Sequence, residues 1–68
     1  MEKMKENAKR RIEHMAESAF KAKAYSGVIG NELITELSHY IQAYDEVGLL
    51  PLDEAMKIVT PIREKYSV

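Results

Sequence analysis

The sequence contains no cysteine and no tryptophan, a single phenylalanine, three glycines and two prolines. Without cysteine there can be no disulfide and no cysteine-ligated zinc site. That absence fits an intracellular, cytoplasmic protein. Glycine and proline are few and clustered, so long stretches run without a helix breaker. No apolar run approaches the ~20 residues that a membrane-spanning helix needs. The N-terminal Lys3, Lys5, Lys9, Arg10 and Arg11 are not followed by the apolar block of a secretory signal, and Glu2, Glu6, Glu13 and Glu17 argue against an acid-poor organelle presequence. No charge dominates either. Ten Lys and Arg stand against eleven Asp and Glu, which gives no general attraction to nucleic acid or to an anionic membrane.

What remains is a helix-forming chain of 68 residues, rich in Ala, Glu, Lys, Met, Leu and Ile. That length is one domain, residues 1–68. A domain so small buries only ~60% of its unfolded surface and is marginal alone. With disulfides excluded and two distant histidines a poor metal site, oligomerisation or docking on another protein is the expected remedy.

Three amphipathic segments stand out. Met4, Ala8, Ile12, Met15, Ala19 and Ala22 recur at steps of three and four, widened by Ala16 and Phe20. They predict a helix over about 3–25. Glu6–Arg10 and Glu17–Lys21 support it as acid-before-base pairs four apart. Tyr25 to Gly30 reads as a packed loop, with Val28 and Ile29 buried and Gly27 ending the helix. Asn31 is then the N-cap of a second helix over about 31–47, with Leu33, Ile34, Leu37, Tyr40, Ile41, Tyr44 and Val47 on its apolar side. Gly48 falls just past its end, where Leu49 folds back toward Tyr44. Pro51 opens a third helix over about 51–66, with Asp53 and Glu54 in its first turn and a kink at Pro61. The fold class is therefore all-α, a small three-helix bundle. The second helix, with the largest apolar side chains, is expected to carry the other two.

Chemistry-bearing patterns are sparse. Glu36 and His39 share one helical turn, the spacing that di-iron bundles use in pairs. Only one copy is present, beside the apolar face, and a solvated edge accounts for it. Glu13, His14 and Glu17 are the other conceivable ligands. Neither His14 nor His39 has a nucleophile pattern near it, and Gly27–Gly30 lacks the Lys-Ser/Thr of a phosphate loop. No catalytic, cofactor or metal residue is assigned, and the chain is read as a non-enzyme. Lys9, Arg10 and Arg11 form the one basic cluster, which a helix spreads around its axis among acids.

Two short stretches resemble known families. Tyr44-Asp-Glu-Val-Gly-Leu-Leu-Pro51 resembles a segment of MerR-type regulators, which implies DNA binding. The arginine-bearing helix-turn-helix that precedes it in that family is not present here. Glu36-Leu-Ser-His-Tyr-Ile-Gln-Ala-Tyr44 resembles the second helix of the small two-helix phosphatases that act on the sporulation response regulator. Ser38 stands where their motif has its Asp, so the resemblance carries no catalytic residue over.

The sequence thus points to a regulatory or inhibitory accessory protein that binds a larger protein or itself as a homodimer. The expected working surface is the apolar face of the first helix with its aromatic anchors: Met4, Ala8, Ile12, Met15, Phe20, Tyr40 and Tyr44. The first helix is expected to overhang the core at residues 1–8, frayed or extended, leaving Met1, Met4 and Ala8 bare. The alternative is a small DNA-binding or co-regulatory protein that uses Lys9, Arg10 and Arg11.

Overall fold

The computed structural model describes residues 2–66. Its elements are α1 (Glu2–Tyr25), α2 (Gly27–Glu46) and α3 (Leu52–Tyr66), and no strand occurs among the described residues. The bundle measures 37 × 19 × 17 Å. Met1 lies outside the described residues.

One residue separates α1 from α2. Ser26 takes an extended conformation (φ −147°, ψ 113°) as the N-cap of α2. Its amide donates to the Ala22 carbonyl at 2.7 Å, and its carbonyl accepts from the Gly30 amide at 3.0 Å. The expected loop over 25–30 is therefore mostly helix, and Asn31 is not the cap. Val28 and Ile29 lie in the first turn and are 73% and 56% exposed, not buried. The two glycines of this stretch do not break the helix. A β-carbon on Gly30 would lie 2.6 Å from the Lys23 amide nitrogen and nearer still to its Cα, whereas one on Gly27 would meet nothing within 4 Å. Gly30 is there so that the two helix backbones can approach.

At its other end α2 closes as the sequence predicts. Gly48 adopts φ 73°, its amide donates to the Asp45 carbonyl at 3.0 Å, and the Leu49 amide donates to the Tyr44 carbonyl at 3.0 Å. That paired arrangement satisfies two of the carbonyls a helix end leaves open. It also turns the chain so that Leu50 enters the core fully buried. Pro51 precedes α3, and its carbonyl accepts from the Ala55 amide at 3.1 Å. Asp45 Oδ1 accepts from the Leu52 amide at 3.1 Å, so a side chain from α2 caps α3. The third helix runs through Pro61 as one element.

The core joins Ile12, Ala16 and Phe20 of α1, Leu37 and Ile41 of α2, Leu50, and Ala55 and Val59 of α3. Both α2 and α3 pack extensively on α1 and only slightly on each other. The organising helix is thus α1 and not α2. Its Ala8, Ala16 and Ala19 are nearly or fully buried, and small residues let two neighbours approach one axis while the larger side chains of α2 and α3 fill the space between. Of the residues expected to be bare at the N-terminal end of α1, Met4 is exposed but Ala8 is not. Ala8 is 3% exposed, and Lys5 Nζ pairs with Glu54 Oε2 at 2.9 Å, holding α1 to the start of α3.

Candidate functional site

The sequence-derived contact residues divide into two groups. Ala8, Ile12 and Phe20 are buried in the chain's own core, and Met15 and Tyr44 pack half-buried against it. Those five belong to the interior and offer little surface to a partner. Met4 and Tyr40 are exposed. Tyr40 lies 6.3 Å from Tyr44, ring centre to ring centre, at a tilt of 52°.

The histidines and their acidic neighbours are exposed. Glu13, His14, Glu36 and His39 all face solvent, and no group of three or more His, Asp or Glu that could hold a metal occurs among the described residues. Arg10 and Arg11 are exposed and Lys9 half-buried. Glu6, Lys9, Arg10 and Glu13 share one shallow cleft with Ile58, so acids are interleaved with that side of the basic cluster.

One polar node stands out between α1 and α3. Glu17 Oε1 accepts from the Tyr66 hydroxyl at 2.5 Å and from Lys65 Nζ at 3.0 Å. The Lys65 ammonium also lies 5.3 Å from the Tyr66 ring centre. The Tyr66 hydrogen bond first, then Lys65, holds the Glu17 carboxyl below its usual range. The same bonds from Glu17 raise the titration of Tyr66 and of Lys65. Glu17 and Lys65 also line an open groove of about 580 Å³ with Glu13, His14, Lys57, Ile58, Pro61 and Ile62. All three members satisfy one another, and the node holds the last turn of α3 to α1.

The apolar surface that remains departs in part from the sequence expectation, which names Met4 and Tyr40 as contacts but buries Ile29. Tyr25, Ile29, Tyr40 and Val47 are exposed, as are Val28 and, on α3, Leu52 and Met56. Ile29, Tyr40 and Val47, the last being the C-cap of α2, fall in a second stripe, Ile29, Leu33, Glu36, Tyr40, Ala43 and Val47, at steps of four and three. It runs beside the stripe that faces α1 (Gly30, Ile34, Leu37, Ile41, Tyr44), and the residues of both were visible as spacing. In sequence the two stripes touch and read as a single apolar face. On the α1 side of this outer face lie His14, Met15 and Ser18, which share a depression with Leu33 and Glu36. At the far end Met4 and Lys5 share a recess of about 600 Å³ with Val47, Leu49 and Pro51.

Charge divides between the same two helices. Over its 20 residues α2 carries Glu32, Glu36, Asp45 and Glu46 and no Lys or Arg, whereas α1 carries seven basic and four acidic residues. Not all of this charge lies on the outer face: Lys9 and Arg10 share a cleft with Ile58 of α3 and Asp45 caps Leu52, whereas Glu36 borders the depression that holds Met15 and Ser18.

No protein family, curated protein or solved structure matches this chain. The two local resemblances in α2 and its exit accordingly stay local.

Proposed function

We propose that the chain is a small regulatory or inhibitory accessory protein that works by association, binding a larger protein or another copy of itself through the outer face of α1 and α2. The observation that carries this reading is the alignment of exposed Ile29, Tyr40 and Val47, with half-buried Leu33, along one side of α2. Scattered apolar residues are ordinary on a protein surface, but an aligned set has the form of a contact face. Tyrosine suits such a site because its ring packs while its hydroxyl stays paired or wet. A non-enzymatic role and an intracellular, cytoplasmic setting belong to the same reading.

Ile29→Glu and Tyr40→Glu test it. Both positions are exposed, so helical content and thermal unfolding are expected to stay close to wild type. Association, with itself or with a captured partner, is expected to fall sharply. Undiminished association in both variants would remove the reading.

A second reading rests on the basic excess of α1 and the exposure of Arg10 and Arg11. It makes the chain a nucleic-acid-binding or co-regulatory protein. Its signature is a low-salt mobility shift that disappears when Lys9, Arg10 and Arg11 become Ala. No shift at low salt rejects it.

A further inference from the structure

We infer that the occupant of the α1–α2 outer face is a second copy of this chain, paired about a two-fold axis that runs parallel to the helices. This rests on the association reading above and names its partner. Such an axis lays α1 of each copy antiparallel on α2 of the other, giving a four-helix arrangement in which every neighbouring pair is antiparallel.

The net charge of the two helices favours this axis. The basic excess lies on α1, and α2 carries four acids and no basic residue. An axis perpendicular to the helices would stack α2 on α2 and α1 on α1, placing like charge against like. The parallel axis sets each basic helix on an acidic one.

Shape agrees. Within one chain Met4 shares a recess with Val47, Met15 and Ser18 share one with Leu33 and Glu36, and Gly30 lies against Lys23. The parallel axis preserves these levels between copies. Ser18 then stands opposite Leu33 of the partner subunit, Ala22 opposite Ile29 of the partner subunit, and Met4 opposite Val47 of the partner subunit. The first two set a small residue against a large one, as interdigitating helices require. Arg11 lies between the Met4 and Met15 levels, opposite Tyr40 of the partner subunit and one turn from Glu36 of the partner subunit. Both Arg11 and Glu36 are exposed, and neither has an ion-pair partner within the chain among the described residues.

The face is large enough. The 20 residues of α2 extend ~30 Å, and two adjacent helices span ~20 Å, which gives roughly 600 Å² per copy and ~1,200 Å² in all. That reaches the lower bound for specific association, ~1,200 Å².

Arg11→Glu and Glu36→Arg on the intact chain test the pairing, with mass followed by sedimentation or light scattering over a wide concentration range. Wild type is expected to form a reversible dimer. Each substitution alone is made twice in a symmetric pair and should weaken it by about tenfold or more. An equimolar mixture of the two variants should restore it, because a mixed pair has opposite charges at both contacts. Wild type that stays monomeric throughout, or a mixture no tighter than the single variants, overturns the inference. A monomeric wild type whose capture of a different protein is lost in Ile29→Glu and Tyr40→Glu overturns the self-pairing alone. If those two variants lose no association of either kind, the binding reading fails as well.

Discussion

Glu17 is the residue through which the end of α3 is held. One carboxylate oxygen accepts from both Tyr66 and Lys65, so its ionised form is favoured in the folded chain and its titration is lowered. A group lowered on folding contributes stability above its unfolded value, and loses it as pH falls through the folded one. The resistance of the chain to urea is therefore expected to decline in acid, below the usual carboxylate range, and Glu17→Gln is expected to flatten that decline. Tyr66 and Lys65 are raised, so their share is complete below their ordinary values and disappears as pH rises through the raised ones. An unchanged acid limb in Glu17→Gln, measured by urea midpoints across pH, would show that the node does not couple to folding. The glycines give a second prediction at this scale. Gly30→Ala forces a β-carbon into the Lys23 backbone and should cost ~1–3 kcal/mol by overpacking. Gly48→Ala places a side chain at φ 73° and should cost ~1–2 kcal/mol. Gly27→Ala meets open space and should be neutral or stabilising by up to ~1 kcal/mol. Urea unfolding of the three variants ranks them. A Gly30→Ala protein as stable as Gly27→Ala would contradict the close approach of α1 and α2.

The elements were legible wherever a backbone rule acted through adjacent residues. The exit of α2 is an example, since a glycine just past an apolar stripe needs only its own conformational freedom to end a helix, and Gly48 does so. The start of α2 is hidden because Gly27 and Gly30 look like punctuation in sequence. Gly30 instead answers a contact with Lys23 from the preceding helix, and that is long-range information. The capping of α3 was likewise hidden. Asp45 acts on Leu52 seven residues away, and only the tight turn after Val47 brings the two together. Asp45→Ala should therefore loosen the first turn of α3 and cost ~0.5–2 kcal/mol. Asp45→Asn, which keeps an accepting oxygen, should recover most of it. Hydrogen exchange at the α3 amides checks the location. Equal protection there in wild type and Asp45→Ala would assign no capping role to the carboxylate.

At the scale of the whole molecule, the identity of the central helix follows from packing and not from residue size. More of the large apolar side chains lie in α2 than in α1, so a reading that weighs hydrophobicity chooses α2 as the scaffold. Two neighbours can share one helix only where its side chains are small, and α1 with buried Ala8, Ala16 and Ala19 meets that condition. The same inversion explains the candidate site. Ile12 and Phe20 look like contact residues when α1 is taken as peripheral, but a central α1 consumes them inside the fold, and the free apolar surface moves outward to Ile29, Tyr40 and Val47. Ile12 and Met4 separate the two views directly. Ile12 is fully buried among residues of all three helices, and Ile12→Ala should cost ~2–5 kcal/mol. A domain of this length commands only ~3–10 kcal/mol in total, so the variant should be partly or wholly unfolded at 37 °C. Met4 is 57% exposed, and Met4→Ala should stay within ~0.5 kcal/mol of wild type. Urea denaturation of both variants at low concentration, where any pairing of copies contributes least, decides between them. A folded Ile12→Ala protein that merely loses association would place α1 back at the periphery and its stripe back on the surface.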